Sequence, residues 1–359
     1  MFLHRSIAEI NLENLKKNIT NIYNYAKKEI IAVIKADAYG HGAVNIGRFL
    51  DKIDFVKYLA VATAEEGKEL REANIKKPII VLGGILKEEI DIFNNFNLVP
   101  VISNFYQLEQ VKSLKNRNIH LKFDTGMHRL GFYKEDIEKI NKLIFDNCIN
   151  IEGVMSHFPS ADIDKEFTEN QIKIFQEIIN QLKAKNLKYI HIQNSAGIIY
   201  NCDFCNLIRI GLAMYGEKPI KDYPVELNQV MQVKAKIISI KDIKKGEGIS
   251  YCHTFKADKD MKIAVISFGY ADGLPRALSN KGEVIINNNK AKIIGNITMD
   301  MSIIDITDID AVIGDEAIII GSAGNQKITF TDIANLTNTI PYEIMCGISK
   351  RVYREIITE

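Results

Sequence analysis

Tryptophan is absent from the 359-residue sequence, so any aromatic wall in a functional site must be built from its 14 Tyr and 16 Phe. An excess of charge of either sign is missing too: 46 Lys and Arg stand against 45 Asp and Glu, a formal net charge of +1. That balance excludes the basic footprint of a nucleic-acid binder and the acidic signature of a disordered chain. No apolar run approaches the length of a membrane span, and Met1-Phe2-Leu3-His4-Arg5 lacks the apolar core of a signal peptide. Neither a nucleic-acid nor a membrane partner is expected, and the expected compartment is the cytoplasm. Cysteines are few. Cys148, Cys202, Cys205, Cys252 and Cys346 form an odd, scattered set rather than a disulfide framework. Cys202-Asp203-Phe204-Cys205 spells a C-x-x-C, but no second close pair of Cys or His is there to complete a structural zinc. It reads as two ordinary thiols near a turn, and no metal is expected.

What is present is a globular composition, 47% hydrophobic and 25% charged, at a length that suggests about two domains. From residue 30 to 216, short apolar runs alternate with helical segments. The runs are Ile31-Ile34, Tyr58-Ala62, Ile79-Leu82, Leu98-Ile102, Ile119-Phe123, Ile151-Met155, Tyr189-Ile192 and Leu207-Ile210. They are β-branched and apolar on both faces, as parallel strands buried on both sides must be. Eight such strands alternating with helices predict a TIM (β/α)8 barrel. The rival, a doubly wound open sheet, favours a Gly-rich dinucleotide turn after the first strand, and none is visible. Near residue 228 the pattern changes to strands separated by Gly-bearing turns at Lys245-Gly246, Asp272-Gly273 and Gly314-Asp315. The expected organisation is therefore α/β: a barrel over 1–228 and a mainly β domain over 229–359, packed directly because no Pro/Ser/Gly linker separates them.

Catalytic groups in a barrel cluster at the C-terminal ends of the strands. The first run ends Ile34-Lys35-Ala36-Asp37-Ala38-Tyr39-Gly40-His41-Gly42. A lysine closing an apolar strand either snorkels to solvent or, if desolvated, loses its proton easily and serves as a base or as a Schiff-base nucleophile. Gly40 and Gly42 permit a tight turn behind it. The fifth run leads from Lys122 to Arg129 across a Gly turn, and a planar guanidinium there is suited to gripping a carboxylate. The seventh and eighth runs end at Asn194-Ser195-Ala196-Gly197 and Arg209-Ile210-Gly211-Leu212, where barrels commonly bind phosphate through accessible backbone N–H groups.

The stretch Ala32-Val33-Ile34-Lys35-Ala36-Asp37-Ala38-Tyr39-Gly40-His41-Gly42 resembles the pyridoxal-phosphate attachment signature of the alanine racemases. The resemblance continues along nearly the whole chain. It runs through Asp124 to Arg129, Ser156-His157-Phe158, Asn194-Ser195-Ala196, Arg209 to Gly211, Tyr215-Gly216, Ile249-Ser250-Tyr251, Gly269 to Gly273, Thr298-Met299-Asp300 and Pro341-Tyr342-Glu343. It implies a barrel followed by a β domain, a homodimer with active sites shared between subunits, and interconversion of L-alanine and D-alanine. Lys35 would hold pyridoxal 5'-phosphate and act as the base on the D-isomer's face. Tyr251, from the other subunit, would act on the L-isomer's face. Arg209 would face the pyridine nitrogen with His157 hydrogen-bonded behind it. The phosphate would be held by Tyr39, Ser195, the Gly211 and Leu212 backbone, and Tyr342. Arg129 and the Met299 backbone would take the substrate carboxylate, and Tyr270 would stand at the mouth of the site, with Asp300 supporting beside Met299. Lys122 matches a position that relatives can carbamylate.

Relatives often carry Ser-Tyr-Gly where this chain has Ser250-Tyr251-Cys252. A Cβ beside the proposed base alters the turn that aims it unless the local φ is negative. Three other functions compete: a racemase of serine or another amino acid, a related pyridoxal-phosphate decarboxylase, and a cofactor-carrying homeostasis barrel without turnover. The decarboxylases set an acidic residue where Arg209 stands, and the homeostasis proteins lack the β domain.

Overall fold

Asn11, Thr63, Asn104 and Asp164 each turn a side-chain oxygen back onto a backbone N–H and so start helices at Leu12–Ala26, Ala64–Glu72, Phe105–Gln110 and Lys165–Gln181. These helices, with Ala43–Leu50, Ile90–Phe96 and Ile137–Asn147, alternate with short strands. The computed structural model describes residues 4–147, 149–185 and 187–358; Cys148 lies outside them. The strands are β1 (Ser6–Asn11), β2 (Glu29–Val33), β3 (Val56–Val61), β4 (Ile79–Val81), β5 (Val99–Ile102), β6 (Asn118–Lys122), β7 (Asn150–Met155), β8 (Tyr189–His191), β9 (Leu207–Ile210) and β10 (Met231–Ile243).

Strands β2 to β9 form an eight-stranded parallel sheet in which sequence neighbours pair and β2 also pairs β9. The remaining gap, between β8 and β9, is bridged by the Asn206 N–H to Ile190 O at 3.1 Å and the Arg209 N–H to Gln193 O at 2.9 Å. The sheet is therefore a nearly closed barrel. Its strands fall within two residues of the eight apolar runs. Residues such as Ile79-Ile80-Val81 are buried without alternation because helices cover one face and the barrel interior covers the other.

Beyond residue 230 the period becomes two. Along β10, Met231, Val233, Ala235 and Ile237 are buried while the residues between them are half-exposed. This strand is the spine of a nine-stranded sheet and pairs antiparallel with Met261–Ile266 and Glu316–Ala323. The same sheet takes in β1, which pairs antiparallel with β10 and parallel with Tyr353–Ile357. The start of the chain thus completes the second sheet before it enters the barrel. We propose 1–228 and 229–359 as the two domains, with β1 as the first domain's contribution to the second. One contiguous core runs through both, from Ile10 and Ile22 to Tyr215 and Phe330. A smaller cluster of Ile249, Ala257, Met261, Ile263 and Ile294 supports the loop that carries Tyr251. Among the described residues no helix is long and apolar enough to cross a membrane.

Candidate active site

The chain leaves β2 in an unusual way. Ala36, Asp37, Ala38 and Tyr39 all have φ of 52–54°, and Gly40 follows at 77°. Four successive non-glycine residues in the left-handed region cost about 1–2 kcal/mol each, so the turn persists only because its surroundings hold it. The two glycines were expected to permit a turn; the left-handed run in fact starts before them. Gly40 itself is required twice, by its φ and because a Cβ there would lie 2.4 Å from the Met345 carbonyl oxygen. The turn leaves Lys35 half-exposed at the strand end and folds the Tyr39 ring inward.

Tyr39 packs against Tyr215 and Tyr342 at centroid distances of 5.0 and 5.7 Å. Burial pushes the Tyr39 phenol well above its ordinary range and the Tyr342 phenol up to about 12, so both hydroxyls stay protonated donors at neutral pH. The Tyr39 hydroxyl lies over Gly211, where a Cβ would come within 2.5 Å of it. Ser195 Oγ accepts the backbone N–H groups of Gly211 and Ala213, both at 3.3 Å. The Tyr39 and Ser195 hydroxyls thus converge on the Gly211–Ala213 backbone, where a Cβ on Gly211 would collide with the Tyr39 hydroxyl.

At the end of β9 Arg209 is buried. Nη1 donates to His191 Nδ1 at 2.7 Å and to the His191 carbonyl at 2.9 Å. Nη2 donates to the carbonyls of Ser156 at 2.6 Å and Ile192 at 3.0 Å, and to His157 Nδ1 at 3.0 Å. All these partners are neutral, and Nε takes no part in the bonds. Burial pushes the guanidinium down to about 10, so it keeps its charge at neutral pH. Burial and then the Arg209 charge hold His157 and His191 well below the usual imidazole range. Both imidazoles are therefore neutral acceptors at Nδ1, which assigns the proton to Nε2. His191 Nε2–H then donates to His120 Nδ1 at 2.8 Å, which leaves His120 Nε2 without a partner in the barrel core. Gln171 fixes the other side, donating to Thr125 Oγ1 and to the His157 carbonyl. Arg209 and His157 stand out in the sequence, whereas His191, His120 and Gln171 do not; their one signal is a histidine inside each of two short barrel strands.

Lys122, closing β6, is buried, and no carboxylate among the described residues forms an ion pair with it. Burial, then the charges of Arg209, Arg129 and Lys35, push its amine down to about 8, against a smaller opposing pull from Asp124. Asp124 is turned aside, accepting the N–H groups of Gly126 and Met127 at 2.8 and 2.9 Å. Arg129 is exposed at the barrel mouth. Four cations from three strand ends, those of β2, β6 and β9, therefore share one rim.

The other candidates form a second cluster. Tyr251, Tyr270, Met299 and Asp300 line a cleft of about 940 Å³ whose wall comes entirely from residues 250–303. Tyr251 is 71% exposed and Met299 53% exposed. Within one chain this cluster and the Lys35 rim stay separate. Ser250, Cys252 and His253 have φ of 63°, 61° and 46° around Tyr251, so Cys252 occupies a left-handed position that glycine takes without strain. The turn is held by Asn296, whose side chain donates to the Tyr251 carbonyl at 2.7 Å while its carbonyl accepts from Ser250 Oγ at 2.6 Å. Asp300 pairs with Arg351 at 2.9 Å, and Arg351 also reaches Asp272 at 3.2 Å. Cys202 and Cys205 are buried side by side, and no group of three metal-binding side chains occurs among the described residues.

Residues 10–219 match the family described as the alanine racemase N-terminal domain, and residues 230–356 match its C-terminal domain. Alanine racemase of Aquifex aeolicus is 43% identical over 355 residues, covering 98% of this chain and 99% of that one. Among solved structures, alanine racemase of Clostridium difficile 630 superposes with a TM-score of 0.93 at 35% identity, covering 100% of this chain and 97% of that one. The Bartonella henselae enzyme, described with covalently bound pyridoxal phosphate, gives 0.89 at 30% identity, covering 99% and 100%. With a barrel, a β domain and a cationic rim at the strand ends, this chain belongs to the alanine racemase family.

Proposed function

We propose that the protein is a pyridoxal-phosphate-dependent alanine racemase in which this chain's own residues take the following roles. The site fits the cofactor. The Tyr39, Ser195 and Tyr342 hydroxyls, gathered about the Gly211 and Leu212 backbone, suit a phosphate. Arg209, with its Nε unused, suits a ring nitrogen. Lys35 is the amine for covalent attachment. When bound, the cofactor draws electrons away from Cα of an amino acid and so makes the Cα–H acidic.

Inversion then needs one base on each face. Lys35 takes or returns the proton on the D-isomer's face, and the Tyr251 phenol of a second copy serves the L-isomer's face. Arg209 remains charged and so keeps the ring nitrogen it faces unprotonated, with neutral His157 and His191 fixing its plane. Arg129 and the Met299 backbone N–H hold the substrate carboxylate, Asp300 supports the Met299 turn, and Tyr270 narrows the mouth. Lys122, a buried amine with a lowered pKa among cations, is suited to carbamylation: its neutral nitrogen bonds to the carbon of CO2, a proton leaves to solvent, and the new anion orients Arg129.

A homodimer follows from two exposed surfaces. Leu86, Tyr133 and Ile163 on loops and Tyr106 in the first turn of the helix Phe105–Gln110 are exposed on the barrel, while Tyr251, Tyr270, Met299 and Met301 are exposed on the second domain. A two-fold pair can cover each surface with the other, which brings Tyr251 to Lys35 of its neighbour. The reading extends to a cytoplasmic enzyme supplying D-alanine for peptidoglycan, supported by four free thiols among the described residues. The observation that carries the reading is the buried Arg209 with only neutral partners, in a rim shared with Lys35. Circular dichroism of L-alanine incubated with the purified protein should decay to zero. A persistent signal, or release of CO2, overturns the assignment.

A further inference from the structure

We propose that Glu66 and Arg354 are positioning residues that lock, from its two ends, the left-handed turn presenting Lys35 and Tyr39. The proposal rests on the reading that Lys35 carries the cofactor. Ala36, Ala38 and Tyr39 lie in a region of φ that their side chains disfavour, and only Asp37, which accepts the Ala43 N–H at 2.7 Å, and the glycines Gly40 and Gly42 tolerate it more readily. A segment of this kind relaxes unless charged or packed groups outside it hold both ends.

At the start of the turn, the Glu66 carboxylate accepts the Ala36 N–H at 2.7 Å with one oxygen and the Ala62 N–H at 2.6 Å with the other. It therefore ties the residue after Lys35 to the end of β3, from the first turn of the helix that Thr63 caps. At the far end, Arg354 spends all five N–H donors on backbone carbonyls. Nε and Nη2 both bond Gly40 O, at 3.0 and 2.9 Å. Nη2 also bonds Ile348 O at 2.7 Å, and Nη1 bonds Val352 O at 2.6 Å and Ser349 O. The guanidinium thus staples the turn to the segment that follows the helix Pro341–Gly347, on which Tyr342 stands. One charge of each sign holds the strained turn at its two ends, and the second charge also sets the spacing of the two phosphate tyrosines. Charge-assisted bonds of this kind are about twice as strong as neutral ones, and a lysine cannot reproduce the planar fork.

The test uses Glu66→Gln, Arg354→Lys, Arg354→Met and the double variant Glu66→Gln/Arg354→Met. Hydrogen exchange of the apoprotein should show lost protection in peptides covering 34–43 and none in peptides from β5 to β7. The dissociation constant for pyridoxal phosphate, measured by titration, should rise about 10- to 100-fold, the range expected for losing charged hydrogen bonds. Arg354→Lys should fall between wild type and Arg354→Met. If the two residues brace one turn, releasing it once is enough, so the double variant should lose less than the product of the single losses. Unchanged protection over 34–43, a dissociation constant within about twofold of wild type, or losses that multiply would each overturn the proposal. Should Arg354→Met fail to fold, Glu66→Gln and Arg354→Lys carry the exchange and titration tests. Borohydride reduction of the wild-type holoprotein with peptide mapping separates the two levels. An adduct away from Lys35 defeats the site reading, whereas the exchange result alone decides whether the turn is braced.

Discussion

Lys122→Met removes a buried amine on which three cations act, against the smaller pull of the Asp124 carboxylate. In the folded state its pKa is pushed from 10.5 down to about 8, first by burial and then by Arg209, Arg129 and Lys35. The sign follows from which state holds the proton. Between about pH 8 and 10.5 the unfolded chain keeps the proton and the folded chain has lost it, so folding becomes more favourable as pH rises through that window. Below about pH 8 the folded protein carries the full cost of confining the charge. At ~1.4 kcal/mol per unit, this is roughly 3 kcal/mol. A methionine of similar length removes the cost without leaving a cavity. The variant apoprotein should therefore be more stable than wild type by up to about 3 kcal/mol at pH 7, with the advantage fading towards zero near pH 10.5. Urea unfolding at one protein concentration, at pH 7, 8.5 and 10 in CO2-free buffer, measures the difference. Bicarbonate should then stabilise wild type and leave the variant unmoved, because only the folded amine is poised to form a carbamate. A stability difference that is independent of pH, or that grows with pH, refutes the reasoning.

Gly211→Ala should weaken pyridoxal phosphate binding at least about tenfold, because the new Cβ would meet the Tyr39 hydroxyl at 2.5 Å; equilibrium titration measures it. Tyr251→Phe should lose about 10²- to 10⁴-fold in racemisation yet still exchange the α-hydrogen of D-alanine with solvent deuterium, and equal exchange of the two enantiomers would contradict the two-base division. Cys252→Gly should raise the thermal midpoint, by an amount corresponding to about 1 kcal/mol, since φ is 61° at that position. Lys35→Ala mixed with Tyr251→Ala should regain activity on subunit exchange, because a hybrid dimer holds one intact site; demonstrated exchange without recovery removes Tyr251 from the shared site.

The barrel was legible because its strands are short apolar runs with no alternation, and helices on one side and the interior on the other dictate that pattern. Lys35 and Arg209 stood out because a charge ends or interrupts such a run. β1 did not stand out. Six residues of Ser-Ile-Ala-Glu-Ile-Asn have no partner nearby in sequence, and their ladder with β10 joins Ile10 to Met231. The left-handed turn was equally hidden, since Ala36, Asp37, Ala38 and Tyr39 have no local preference for it and distant groups impose it. Glu66 reads in sequence as one more acid in the first turn of a helix. His120 and His191 are isolated histidines in short barrel strands, and only the barrel's register brings His120 Nδ1 and His191 Nε2 to 2.8 Å.

The charge distribution links fold to chemistry. The chain is nearly neutral, yet Lys35, Lys122, Arg129 and Arg209 converge on the barrel mouth, and among the described residues none of them forms an ion pair with a carboxylate. A concave, low-dielectric rim of one sign focuses its field, so it attracts anions more strongly than the net charge suggests. A phosphate and a substrate carboxylate are the two anions that the proposed reaction brings there. Those anions also resolve the cations' mutual repulsion, so the site is better satisfied loaded than empty. Arg209 gains no such partner, because its neighbours are neutral histidines and carbonyls. Its charge is therefore not cancelled and still faces whatever lies against Nε. In the proposed reaction a fixed cation at that point would make protonation of a ring nitrogen unfavourable, which would weaken the electron withdrawal available at Cα and place more of the proton transfer on the two proposed bases. Lys35 and Tyr251, the two bases of the proposed reaction, stand beside Ala36–Tyr39 and between Ser250 and Cys252, whose φ values of 52–63° gather conformational strain at both places.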